Sequence, residues 1–507
     1  MDLGANFLAT LRRDPGAVAF VDQGIRLTYA TWGEQVLRLV AGLRRVGLRH
    51  GDRVVCVLKN GAELATLYWA CQLSGIVIVP LNWRASGAAL GYLVADSDVS
   101  AIVLDSSQTE VTEGRRDGLA AVDVAARTAP GWTRFADLLA VDAAPPESQA
   151  RPDDVSILLY TSGTTGRPKG VARTHRAERA AALGHIAQNG YRRGESILGV
   201  MPIHHTMGVK AMIIATMLDG KFCSMPRFDA EAAVEIIARE AVSSLSLVPT
   251  IYHDILNAPN FDTAKVASVR VLTYAGAPMA PSLAARLQSA FEPHLFVNQL
   301  GSTEIYTYSY NPDAGTSPAS VGRAGLSAEL RLVRIGAVTG DDLAGPEEQG
   351  EIVASMRADD AFSGYWNRPE VDADRIRDGW FFTGDAARLD SRGDLILTGR
   401  VDDLIVTGGE NVSPIEVEAC LCACPGVVEA VVVGVPHPRW GQIVAAGVVA
   451  TPDLNKDTID AHCQDYGLMP HQRPRWVFFL SQIPKSPVGK VLRREVLENH
   501  AGAMPPL

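Results

Sequence analysis

Short apolar runs recur along the chain, each bounded by polar or turn-forming residues. Arg53-Val54-Val55-Cys56-Val57-Leu58, Gly75-Ile76-Val77-Ile78-Val79-Pro80 and Ser100-Ala101-Ile102-Val103-Leu104 read as strands buried within a sheet. Between them Leu64-Ala65-Thr66-Leu67-Tyr68-Trp69-Ala70 reads as a helix. This alternation predicts an α/β fold with mostly parallel sheets. It continues through Leu245-Ser246-Leu247-Val248-Pro249 and Val269-Arg270-Val271-Leu272-Thr273-Tyr274, after a polar, proline-bearing connector over 143–152. Past residue 350 the texture shifts to shorter strands and turns, at Gly350-Glu351-Ile352-Val353 and Gly393-Asp394-Leu395-Ile396-Leu397. The expected fold is a large N-terminal domain of α/β subdomains with a small β-barrel-like portion, 1–401, followed by a small α+β domain, 402–507.

At 507 residues the chain is long enough for more than one domain. Its 47 Lys+Arg against 57 Asp+Glu leave a formal charge of −10, so no general basic character draws it to nucleic acid or an anionic membrane. Any anion must be bound locally. No apolar run is long enough to span a bilayer, and Met1-Asp2-Leu3-Gly4-Ala5-Asn6 lacks the basic start and apolar core of a signal peptide. A cytoplasmic enzyme is the expectation. Seven scattered cysteines agree with a reducing compartment. Cys420, Cys422 and Cys424 fall in a helical stretch, where their thiols fan around the axis and serve as packing.

The chemistry is concentrated in Tyr160-Thr161-Ser162-Gly163-Thr164-Thr165-Gly166-Arg167-Pro168-Lys169-Gly170. Glycines let backbone approach an anion, hydroxyls and N–H groups donate to phosphate oxygens, and Lys169 adds a mobile positive charge. The preceding Val155-Ser156-Ile157-Leu158-Leu159-Tyr160 reads as a buried strand, so the loop leaves a sheet where nucleotides usually bind. The Walker frame, with Gly-Lys-Ser/Thr at its end, is absent.

Four further segments stand beside this loop. They are Leu300-Gly301-Ser302-Thr303-Glu304, Trp380-Phe381-Phe382-Thr383-Gly384-Asp385, Gly399-Arg400-Val401-Asp402-Asp403-Leu404-Ile405 followed by Gly408-Gly409-Glu410-Asn411, and Pro484-Lys485-Ser486-Pro487-Val488-Gly489-Lys490. Together the five resemble, over nearly the whole chain, the adenylate-forming superfamily of acyl-CoA ligases, peptide-synthetase adenylation domains and luciferases. The resemblance implies that an acyl adenylate is made from a carboxylic acid and MgATP and that the acyl group passes to the thiol of CoA. Thr161, Ser162, Gly163, Thr164, Thr165, Gly166 and Lys169 would then hold phosphate. Glu304 is the expected Mg²⁺ carboxylate, since that ion takes hard oxygen ligands, with Thr303 touching phosphate. Gly276, Ala277, Pro278, Leu300, Gly301 and Ser302 resemble the segments around the adenine. Asp385 would accept the ribose hydroxyls, Arg400 would contact ribose and phosphate, and Lys490 would be the adenylation lysine. Asp402 falls at the family's hinge, about which the small domain is mobile.

Benzoate and halobenzoate CoA ligases resemble the chain most in the CoA region. Gly408 and Gly409 would leave room for pantetheine, Arg473 and Arg475 would meet phosphates, and Trp440 would stack on adenine. In Pro202-Ile203-His204-His205-Thr206-Met207-Gly208, His205 matches the family's gate beside the acyl carboxylate. Val209, Tyr274, Ala275, Gly276 and Ile305 are the expected pocket walls. Their mainly apolar character suggests an aromatic, alicyclic or otherwise bulky acid. The chain departs from the family at Leu300, where members usually carry an aromatic ring on the adenine. That departure leaves open a ligase that only thioesterifies an adenylate supplied by a partner adenylating enzyme. A carrier-protein loading enzyme and a binding module on an inactive ligase scaffold are further alternatives, and a homodimer is compatible with the sequence.

Overall fold

The computed structural model describes residues 1–106, 119–125, 132–162, 168–485 and 491–500. They fall into two compact units, Met1–Glu329 with Ser355–Phe381, and Leu330–Ala354 with Phe382–Leu507. This static grouping differs from the domains expected at 1–401 and 402–507, because Leu330–Ala354 and the chain from Phe382 pack with the C-terminal residues.

The first unit is an α/β body on two sheets. One sheet runs in spatial order Thr133–Arg134, Ala120–Asp123, Ala101–Leu104, Arg53–Val57, Val77–Leu81, Val155–Ser162 and Pro168–Thr174. Neighbours are parallel up to the last pair, which is an antiparallel hairpin. The other is parallel from Val18–Asp22 through Lys221–Ser224, Ser196–Gly199, Ser244–Leu247 and Val271–Tyr274 to Leu295–Leu300. Ile25–Thr28 at one end, and Ser309–Asn311 with Ser320–Ala324 at the other, add antiparallel pairs. The strands expected from the apolar runs are present, shifted by a residue or two.

Helix Ala62–Ser74 is buried on every face. A helix apolar all round belongs inside a core. Its Trp69 stacks on Phe7 of helix Leu3–Arg13 at 4.8 Å, and Phe7 meets Trp32 of helix Tyr29–Arg45 edge-on at 5.5 Å. These helices and Thr206–Met217 share one apolar core.

One expectation is corrected in extent. The two ends of the stretch read as a loop from Thr161 to Gly170 are ladder, because Tyr160 pairs with Gly170, Thr161 with Lys169 and Ser162 with Pro168. Pro168 is tolerated as the first residue of its strand. Only 163–167 remain between the strands, outside the described residues.

Largely within the second unit, Leu330–Arg334 pairs antiparallel with Gly350–Ser355, which neighbours Trp380–Leu389, and Trp380–Leu389 pairs antiparallel with Leu395–Arg400. After it, Glu410–Val412, Ile405–Thr407, Gly441–Ala450 and Val427–His437 pair antiparallel, and Trp476–Phe479 joins Gly441–Ala450 in parallel. Helices Pro414–Ala423, Lys456–Asp465 and Arg493–His500 complete an α+β layout. Cys420 and Cys424 are buried, while Cys422 faces out.

Candidate functional site

In the first unit the residues expected around the adenine and the metal follow the carboxyl ends of two neighbouring parallel strands, the usual place for ligands in such sheets. Strands Val271–Tyr274 and Leu295–Leu300 are neighbours, with Tyr274 opposite Asn298. The exposed Gly276, Ala277 and Pro278 leave the first, and Gly301 and Ser302 leave the second. Leu300 is half-buried at its strand end. The turn after it is tight: Ser302 N–H donates to Ile305 O at 2.8 Å and Tyr308 N–H to Leu300 O at 3.1 Å. A Cβ on Gly301 would lie 2.0 Å from Tyr306 O, so only glycine fits.

Half-buried Thr303 and Glu304 project from this turn. Glu304 Oε1 accepts from the Tyr365 hydroxyl at 2.6 Å, and Glu304 O accepts from Phe362 N–H at 2.9 Å. Beneath it lies a group the sequence reading missed. Arg173, fully buried, donates from Nη1 to the carbonyls of Glu304 at 2.9 Å and Thr303 at 3.3 Å. Its Nε pairs with Glu178, and its guanidinium lies 3.6 Å from the Tyr306 ring centre. A hydroxyl beside a carboxylate, on a backbone pinned from behind, is a hard-oxygen set that fits Mg²⁺.

The hairpin is anchored too. Tyr160 OH donates to Asp96 Oδ2 at 2.7 Å, Tyr92 OH to Pro168 O at 2.7 Å, and Arg368 pairs with Asp96. The Lys169 ammonium lies 5.0 Å from the Tyr365 ring centre, which brings it towards the Glu304 partner. Thr161 is half-buried opposite it. Of the Ser162 side chain nothing is described, and Gly163, Thr164, Thr165 and Gly166 lie outside the described residues.

His205 occupies the N-cap of helix Thr206–Met217 with its ring 4.5 Å from that of His204. Burial lowers its pKa, so the imidazole is neutral near pH 7. Val209, Tyr274 and Ile305 are buried, and Ala275 and Gly276 follow Tyr274 towards solvent. The Tyr274 hydroxyl donates to Pro318 O at 3.0 Å and its ring packs edge-on against Phe296. The next residue after Val209 is an unexpected buried cation. Lys210 Nζ donates to Thr307 Oγ1 at 3.1 Å, and burial lowers its pKa to about 8.

In the second unit, Asp385 and Arg400 sit opposite each other in one hairpin. Arg400 Nη1 donates to Asp385 Oδ1 at 2.7 Å and to Thr383 O at 2.9 Å. Asp402 is exposed in the single turn Val401–Asp403. Gly408 and Gly409 make the tight turn between two strands with φ of 64° and 91°. A Cβ on Gly408 would meet the Trp440 ring at 3.0 Å, so the glycine also makes room for the indole. Arg475 and Arg439 lie 4.9 and 4.8 Å from that ring's centre. Arg439 was not among the expected residues, although it adjoins Trp440. Arg473 is half-buried instead. Lys490 lies outside the described residues.

Comparison with known proteins gives a consistent picture. The family profile described as AMP-binding enzyme matches residues 7–366, and that of the AMP-binding enzyme C-terminal domain matches 416–490. A 4-chlorobenzoate–CoA ligase of Arthrobacter sp is 33% identical over 97% of this chain and 95% of its own length. A feruloyl-CoA synthase of Amycolatopsis sp is 34% identical over 97% and 98%. Among solved structures, ATP-bound MatB from Rhodopseudomonas palustris superposes with a TM-score of 0.90 at 28% identity, covering 99% of each chain.

Proposed function

The chain belongs to the AMP-binding enzyme family, and from that premise we propose that it is an ATP-dependent, AMP-forming acid:CoA ligase for a bulky, largely apolar carboxylic acid. What supports this reading is that Gly276–Pro278 and Leu300–Ser302 follow neighbouring strand ends, and that Glu304 and Lys169 share contact with Tyr365. The aromatic acids in two relatives' names and the apolar walls Val209, Tyr274 and Ile305 support the acid class.

In the first step an oxygen of the acid attacks the α-phosphorus of ATP and pyrophosphate leaves. Glu304, with Thr303 beside it, would hold Mg²⁺, which when bound neutralises phosphate charge. Lys169 and the loop hydroxyls would orient the phosphates, Asp385 and Arg400 the ribose, and neutral His205 would border the acid. Lys490 would supply positive charge where it develops in the transition state. In the second step the CoA thiol attacks the acyl carbon and AMP leaves. Residues from 402 onward would have rotated about Asp402, with Gly408 and Gly409 beside pantetheine and Trp440, Arg475 and Arg473 beside the nucleotide.

Leu300 favours a second reading, in which adenylation is weak and the acyl adenylate comes from elsewhere. A panel of bulky acids with two readouts tests both. Acid-dependent pyrophosphate exchange together with thioester formation supports the first. Thioester formed only from preformed adenylate supports the second, and a carrier protein accepted in place of CoA points to a loading enzyme.

A further inference from the structure

Tyr365 has no role in the scheme above, yet it touches two of the residues in it. Its hydroxyl donates to Glu304 Oε1 at 2.6 Å while the Lys169 ammonium lies 5.0 Å from its ring centre. The ring is held from other directions as well. It is buried, meets Phe362 edge-on at 5.0 Å, and its backbone N–H donates to Asp372 Oδ1 at 2.8 Å. Tyr365 also bridges Val171, and Trp366 N–H donates to Gly170 O at 2.7 Å, so this segment is fixed to the strand that carries Lys169.

We propose that Tyr365 is a positioning residue that fixes Glu304 for divalent-metal binding and ties that carboxylate to the phosphate-loop strand. The inference rests on reading Glu304 as the metal carboxylate. A phenol suits the task because it is a neutral donor. It restricts rotation of the carboxylate without cancelling its charge, as a lysine or arginine at the same place would. A phenol is protonated throughout the physiological range and so remains a donor. The ring face meanwhile gives Lys169 a resting place beside the same carboxylate.

The test uses the full chain as Tyr365→Phe and Glu304→Gln beside the wild type. Its readout is equilibrium binding of a fluorescent ATP analogue across a Mg²⁺ titration without acid, so that no turnover occurs. Thermal unfolding is followed in parallel. Tyr365→Phe keeps the ring and its packing. It is expected to raise the half-saturating Mg²⁺ concentration about tenfold, with ATP-analogue affinity returning at saturating Mg²⁺ and the melting point nearly unchanged. Glu304→Gln should shift the same titration further. If Glu304→Gln leaves it unmoved, the metal assignment fails and the inference with it. If Glu304→Gln shifts it but Tyr365→Phe does not, or if the Tyr365→Phe loss persists at saturating Mg²⁺, the positioning role is overturned while the metal assignment stands.

Discussion

Leu300 is the residue at which local chemistry and the proposed activity pull apart. It closes strand Leu295–Leu300 opposite Ser309, half-buried, immediately before the turn that Gly301 alone can make. A leucine offers an apolar platform but no ring face. Restoring a ring as Leu300→Tyr is expected to tighten ATP by about 1 kcal/mol, near fivefold in Kd by equilibrium binding. No change would mean that adenine does not rest on position 300. Residues such as Glu304, Asp385, Arg400 and Trp440 could be singled out as candidates in the sequence because each sits in a short motif whose neighbours carry the signal. Tyr365 and Arg173 were not legible, because their partners near Glu304 lie 61 and 131 positions away. Arg173 did leave a trace, as an arginine within a strand whose neighbours Val171 and Ala172 are buried.

At the scale of elements, buried strands were easy to read and the hairpin was not. Lys169 and Gly170 look like loop residues, and only pairing with Thr161 and Tyr160 makes them strand. That strand continues into Arg173, whose ion pair with Glu178 supports the Thr303–Glu304 turn from below. Arg173→Met would leave Glu178 buried and unpaired, at a cost of about 3–5 kcal/mol in urea denaturation. The double variant Arg173→Met with Glu178→Leu should recover much of that loss, because no lone charge remains. Equal losses in both would mean that the pair is not coupled. His175 joins a second pair of elements, its Nδ1 accepting from Leu3 N–H at 3.3 Å with the ring fully buried. Burial lowers its pKa to about 4 from 6.5. Between those values the unfolded chain binds a proton the folded one does not, so stability falls as pH drops through this window and is retained above 6.5. Relative to His175→Asn, the protein should lose about 3 kcal/mol on acidification from pH 6.5 to 4, read by denaturation at each pH. A constant difference would show that His175 titrates normally.

For the whole molecule, the α/β class was visible in the order of apolar runs, whereas the compact grouping of Leu330–Ala354 with the C-terminal chain was not. Strands distant in sequence pair there, and no motif records the pairing. The functional question at this scale is whether two reactions share one site by exchanging residues. Attack on phosphorus builds negative charge that a cation relieves, while attack by a thiol on an acyl carbon needs room for pantetheine. One fixed arrangement serves both poorly, because a lysine that stabilises the first transition state occupies space needed in the second. A lysine that acts only in the first step has a distinct kinetic signature. Lys490→Ala should reduce acid-dependent pyrophosphate exchange by about a hundredfold or more, while thioester formation from a preformed acyl adenylate and CoA stays within about twofold of wild type. Equal loss in both half-reactions would place Lys490 in a static site and remove the reason for rotation about Asp402. A wild type that lacks exchange but forms thioester would instead shift the weight to Leu300 and to an adenylate made by a partner enzyme.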